Sequence, residues 1–126
     1  MLLAHIILLA TALVLSIIGI GFLWAPEAWA RTIEVGASTP MARTDIRATY
    51  GGFVLAAGVC LAVPAFHLDW VKPGLFACGL IYTGFAGGRL IGIVLERQAA
   101  RLMIFFLVVE VLGAALSFFA LSRLGS

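Results

Sequence analysis

The chain has 126 residues, 63% of them hydrophobic and only 11% charged, against roughly 25% charged in a soluble globular domain. Its net charge is +2, and the basic residues are scattered singly, which excludes a nucleic-acid footprint. Two cysteines with no Cys-x-x-Cys pair, and no His or carboxylate cluster at metal spacing, exclude a structural zinc site, so neither metal nor other cofactor is expected.

A bilayer core about 30 Å thick takes roughly 20 apolar residues per helix, so a chain of this size has room for four spans and short loops. The expected class is all-α: a single domain over 1–126, an integral membrane bundle of four transmembrane helices, with the bilayer as its principal partner. The first helix is expected over about 2–24, and Pro26 marks its end. Ala28-Trp29-Ala30 imitates a signal-peptidase site, but no Lys or Arg precedes the run. Its roughly 22 apolar residues also exceed the 7 to 15 of a signal core, so the segment is read as an uncleaved span. Residues 26–35 suit an interfacial helix anchored by Trp24 and Trp29. Thr39-Pro40 reads as an N-cap and first helical position, opening a second helix over 40–66. His67 to Pro73 is a polar turn too short for anything but an antiparallel return. The third helix is expected over 74–95, Glu96 to Arg101 forms a loop, and the fourth helix covers 102–122.

Four spans place both termini on one side. The opposite loops carry Arg31, Arg43, Arg97 and Arg101, against Lys72 and Arg123 on the terminal side, so the positive-inside rule turns the arginine loops to the cytoplasm and both termini outward. The inner membrane of a cell is the expected location.

Glu110 breaks the apolar pattern most sharply, lying about eight residues, or roughly 12 Å, into the fourth run. An isolated charge there costs roughly 2.5–3.5 kcal/mol on insertion scales, so the carboxylate needs a partner. Its helical stripe is Met103, Phe106, Glu110, Gly113 and Ser117, a face expected to look inward. Arg89 lies at nearly the same depth in the third helix. Arg47, with Tyr50 and Gly51 one turn further in, enters the second from the same side. An Arg89–Glu110 pair is the favoured arrangement, with Arg47 and Tyr50 as second partners; the alternative is that the arginines snorkel to headgroups.

Gly84, Gly88 and Gly92 recur at four-residue spacing, the groove that lets another helix approach closely in lipid; Gly51, Gly52 and Gly58 do the same less regularly, and Gly113 lies beside Glu110. Such grooves mostly serve packing, inside one chain or between two copies, so a homodimer or larger membrane complex stays open. Cys60 and Cys78 lie on adjacent helices near the same turn but are read as small apolar residues rather than a bridge. His5 and His67 are read as interfacial.

Arg47-x-x-Tyr50-Gly51-Gly52 opening the second helix, Gly88-Arg89-Leu90-Ile91-Gly92 closing the third, and Glu110 followed by Gly113 in the fourth form an ordered set. Together with the turn Ala25-Pro26-Glu27, this set resembles the domain-of-unknown-function 4345 family of small bacterial four-helix membrane proteins. The resemblance spans nearly the whole chain and implies an architecture and a recurrent polar layer, without an activity. Similar chains often carry an acidic-Gly turn after the third helix, where this one has Leu95-Glu96-Arg97-Gln98.

Three functions compete. The first is a non-catalytic accessory subunit or a binder of lipid or other amphiphile, whose Arg-Glu layer fixes helix register. The second is a small proton- or cation-coupled transporter using Glu110; against it, a coupling carboxylate must gain and lose its proton, and two cations share its depth. The third is a membrane enzyme gripping an anionic lipid or a quinone through Arg47, Tyr50 and Arg89, which lacks a nucleophile with its base, a metal set or a phosphate-cradling loop. The first is expected, and with it no enzyme activity.

Overall fold

The computed structural model describes residues 1–124. Among them are five helices and no strand: α1 (Leu2–Trp24), α2 (Pro26–Thr32), α3 (Pro40–Ala65), α4 (Val71–Glu96) and α5 (Arg101–Leu124). Four are long and apolar enough to cross a membrane: α1, α3, α5, and α4 with the short turn Leu68–Trp70 that leads into it. The all-α class with four membrane-length helices is therefore the observed one. The chain divides into two compact units, Leu9–Val63 and a second made of Met1–Leu8 with the chain from Pro64 onward.

In the first unit the remainder of α1 runs antiparallel to α3, because partners on α3 fall in number as positions on α1 rise. A Cβ added at Gly19 would lie 2.6 Å from the backbone nitrogen of Leu55, one at Gly51 would lie 2.8 Å from Leu23, and one at Gly58 would lie 2.6 Å from the Ser16 hydroxyl and 3.0 Å from the Ala12 carbonyl. The two backbones thus touch through small residues: Ala12, Ser16 and Gly19 on α1, and Gly51 and Gly58 on α3. Without a hydrophobic drive between helices in lipid, this close approach supplies the dispersion contacts that hold them.

α2 ends at Thr32 rather than at residue 35. Glu34 turns left-handed (φ 60°), its N–H donates to the Arg31 carbonyl at 3.1 Å, and the Val35 N–H donates to that of Ala30 at 2.9 Å. This reverse-turn cap satisfies the last carbonyls of the helix. It also folds Val35 back onto the buried cluster of Phe22, Ala30 and Ile46, so hydrophobic packing stops the helix three residues early. The Thr39 hydroxyl accepts from the Ala42 N–H at 3.1 Å, with Pro40 at the next position, which is the start that Thr-Pro predicts. α3 is not uniform as the sequence suggests. Arg47–Phe53 is a π-helical stretch and Val63–Ala65 tightens to a 3₁₀ turn. Gly51 and Gly52 hold the α form least well among the residues of this segment, and Pro64 removes a donor at the other end.

In the second unit α4 and α5 form an antiparallel hairpin. α4 starts at Val71 rather than at 74. Pro73 falls in its first turn, where N–H groups have no intrahelical partner and the missing donor costs nothing. Leu8, Pro64, Val71, Leu75, Cys78 and Ser117 are almost wholly buried here, and the Pro64 ring lies 2.9 Å from the Cβ position of Gly74. Arg97 closes α4 in the left-handed conformation (φ 54°), which costs roughly 1–2 kcal/mol for a residue with a Cβ.

Candidate functional site

The α4–α5 hairpin brings Arg89 and Glu110 together. Arg89 Nε donates to both carboxylate oxygens at 3.0 and 3.1 Å, and Nη2 donates to Oε1 at 2.6 Å. The pair is well shielded, with side chains 24% and 10% exposed. The rest of the guanidinium is also engaged: Nη1 lies 3.5 Å from Met103 Sδ, and Cζ sits 5.1 Å from the centre of the Phe106 ring, a cation–π contact.

All five positions of the stripe Met103, Phe106, Glu110, Gly113 and Ser117 therefore meet α4. Gly113 lies under the Tyr82 ring, 2.7 Å from its Cβ position. The Ser117 hydroxyl donates back to the Gly113 carbonyl at 2.7 Å and lies 3.5 Å from Cys78 Sγ. Gly79 takes the Phe118 ring at 2.6 Å in the same way. This interlocking places Arg89 and Glu110 at matching heights, since every contact of the hairpin shares one register.

Within their own unit, Arg47 and Tyr50 find partners on α1. Arg47 Nε donates to the Leu23 carbonyl at 3.1 Å, one of the last-turn carbonyls of α1 that lack an intrahelical donor and attract a cation. Tyr50 stacks on Phe22 with ring centroids 5.1 Å apart. The physical reason is proximity: an unpaired helix-end carbonyl and an aromatic face are available within the same unit. Gly51 packs against Leu23, whereas a Cβ at Gly52 would meet the Arg47 carbonyl at an ordinary contact distance of 3.6 Å. At Gly84, Gly88 and Gly92 an added Cβ would meet nothing within 4 Å, so no described residue fills that groove. Cys60 is exposed and Cys78 buried, and no disulfide joins them.

A second charged assembly lies where α1, α2 and α3 meet, within the Leu9–Val63 unit. A cleft of about 340 Å³ is lined by Ala25, Pro26, Glu27, Ala28, Arg31, Arg43 and Arg47. Arg43 Nη1 bridges to Glu27 Oε1 at 3.3 Å and to the Ala37 carbonyl at 3.3 Å, and Arg31 Nε donates to the Glu27 carbonyl at 3.4 Å. In the sequence Arg31 and Arg43 read only as loop charges. The signal that would have joined them is three arginines flanking one Pro- and Gly-broken connection. No three His, Cys, Asp or Glu side chains among the described residues gather into a metal-holding group.

Four membrane-length helices, two of them bound by a shielded ion pair, define a multi-pass α-helical membrane protein. The chain belongs to the family described as Domain of unknown function (DUF4345), whose model matches residues 3–121. No curated protein and no solved structure matches it.

Proposed function

We propose that this chain is a non-catalytic protein of a bacterial inner membrane, acting as a binder of lipid or a similar amphiphile or as an accessory subunit, with Arg89–Glu110 as the clip that fixes the register of α4 and α5. The observation that carries this reading is the saturation of the pair. Both Glu110 oxygens accept from one guanidinium, and that guanidinium also meets Met103 and Phe106. A carboxylate held in this way is a structural element, whereas proton or cation coupling requires it to change partners within each cycle. Partial neutralisation within the pair also offsets the cost of carrying two charges into the bilayer. The distribution of Arg31, Arg43, Arg97 and Arg101 against Lys72 and Arg123 orients both termini outward.

Purification in mild detergent followed by mass spectrometry of the copurifying molecules tests the reading. A stoichiometric lipid or a partner polypeptide is expected. Reconstituted liposomes supply the opposing outcome: a pH-driven flux abolished by Glu110→Gln would replace the clip with a transporter.

A further inference from the structure

The cleft between α1, α2 and α3 belongs to neither the clip nor the glycine contacts. Its lining includes three arginines, Arg31, Arg43 and Arg47, and a single acid, Glu27, so its wall carries a surplus of positive charge although the whole chain is nearly neutral. Burying apolar surface does not require three like charges to converge, and their mutual repulsion opposes it.

Each guanidinium is oriented by a backbone carbonyl: Arg47 by Leu23 at 3.1 Å, Arg43 by Ala37 at 3.3 Å and Arg31 by Glu27 at 3.4 Å. For Arg31 and Arg47 the bond uses Nε alone, so among the described residues their Nη1–Nη2 edges have no protein partner. That edge grips an oxyanion with two parallel charge-assisted bonds. Arg43 shares its Nη1 between Ala37 and Glu27, which makes Glu27 an internal occupant of the anion's position. The cleft lies at the end of α1, where its lining residue Ala25 directly follows Trp24, which is 88% exposed. Tryptophans of this kind mark the headgroup level of a bilayer.

We infer that the cleft of Arg31, Arg43 and Arg47 is a binding site for a phosphate group, of the kind carried by an anionic lipid headgroup, with Glu27 as the competing internal anion. Three converging guanidiniums match the acceptor oxygens of a phosphate better than the two of a carboxylate. The lipid source rests on the amphiphile-binding reading above; the phosphate chemistry does not.

The full chain, purified in a neutral detergent, is titrated by native mass spectrometry and thermal shift with phosphatidic acid, with phosphatidylcholine and with inorganic phosphate. Saturable binding of phosphatidic acid is expected, weakened about tenfold by Arg31→Gln or Arg47→Gln. Glu27→Gln is expected to tighten binding several-fold, because it frees Arg43 and removes the internal anion; a purely structural Glu27–Arg43 bridge would give no gain. If inorganic phosphate binds with the same dependence on the arginines, the site stands and its source is a soluble phosphate. If the variants and the native chain bind all three probes alike, the site is overturned, while retention of lipid by all of them still supports the amphiphile reading.

Discussion

The α1–α3 pair and the α4–α5 hairpin hold apolar helices together by different means. Along α1 and α3 the backbones themselves meet, through Gly19, Gly51 and Gly58, and the interaction is steric and continuous. Along α4 and α5 aromatic rings fill the gaps over Gly79 and Gly113, and the far end is fastened by one charged clip. The apolar windows also differ in burial, 39% for α1 and 28% for α3 against 11% for each of α4 and α5. A helix pair that buries little needs a directional contact to define its register, and an ion pair in a poorly solvated place is strongly directional.

Glu110→Gln breaks the clip and leaves the Arg89 guanidinium without its counter-charge. A loss of roughly 3–5 kcal/mol in resistance to SDS unfolding is expected, as for removal of one member of a buried pair. The double change Arg89→Met with Glu110→Leu removes both charges and is expected to recover most of that loss; equal losses from the single and double variants would show that the pair does not carry the hairpin. Gly19→Val acts on the other pair. Its side chain meets the Leu55 backbone rather than a flexible side chain, so a cost of about 1–3 kcal/mol is expected from overpacking, with the Arg89–Glu110 coupling energy unchanged in a double-mutant cycle.

Gly88→Ala is expected to go the other way, stabilising by up to about 1 kcal/mol through helix propensity, since nothing lies within 4 Å of its Cβ position. A loss on dilution in lipid but not in the detergent-solubilised monomer would instead reveal a second chain seated on Gly84, Gly88 and Gly92. The smallest effect is at the turn: Arg97→Gly relieves a left-handed backbone at the cost of chain entropy, for a net gain near 0.5 kcal/mol in the melting of the hairpin.

Much of this arrangement is legible in the amino-acid order. The stripe from Met103 to Ser117 repeats at helical spacing, and a carboxylate too short to reach water demands a cation at its own depth, which leaves few residues to choose from. Thr39-Pro40 carries its own cap chemistry. By contrast, the small-residue line Ala12, Ser16, Gly19 on α1 is less evenly spaced than Gly84, Gly88 and Gly92 on α4, yet only the former is filled. Spacing shows that a groove exists, and only packing shows what occupies it.

The amino-acid order is enough to predict that four helices are long and apolar enough to span a bilayer and that Glu110 requires a charged partner, because hydropathy and the cost of a buried charge act on each segment independently of its neighbours. Packing settled that Arg47 caps α1, that Val35 folds back to end α2, and that Arg31, Arg43 and Arg47 line one cleft. Those outcomes depend on which unsatisfied carbonyl, ring or carboxylate comes within 3 to 4 Å once the helices have packed, a distance that no spacing along the chain encodes.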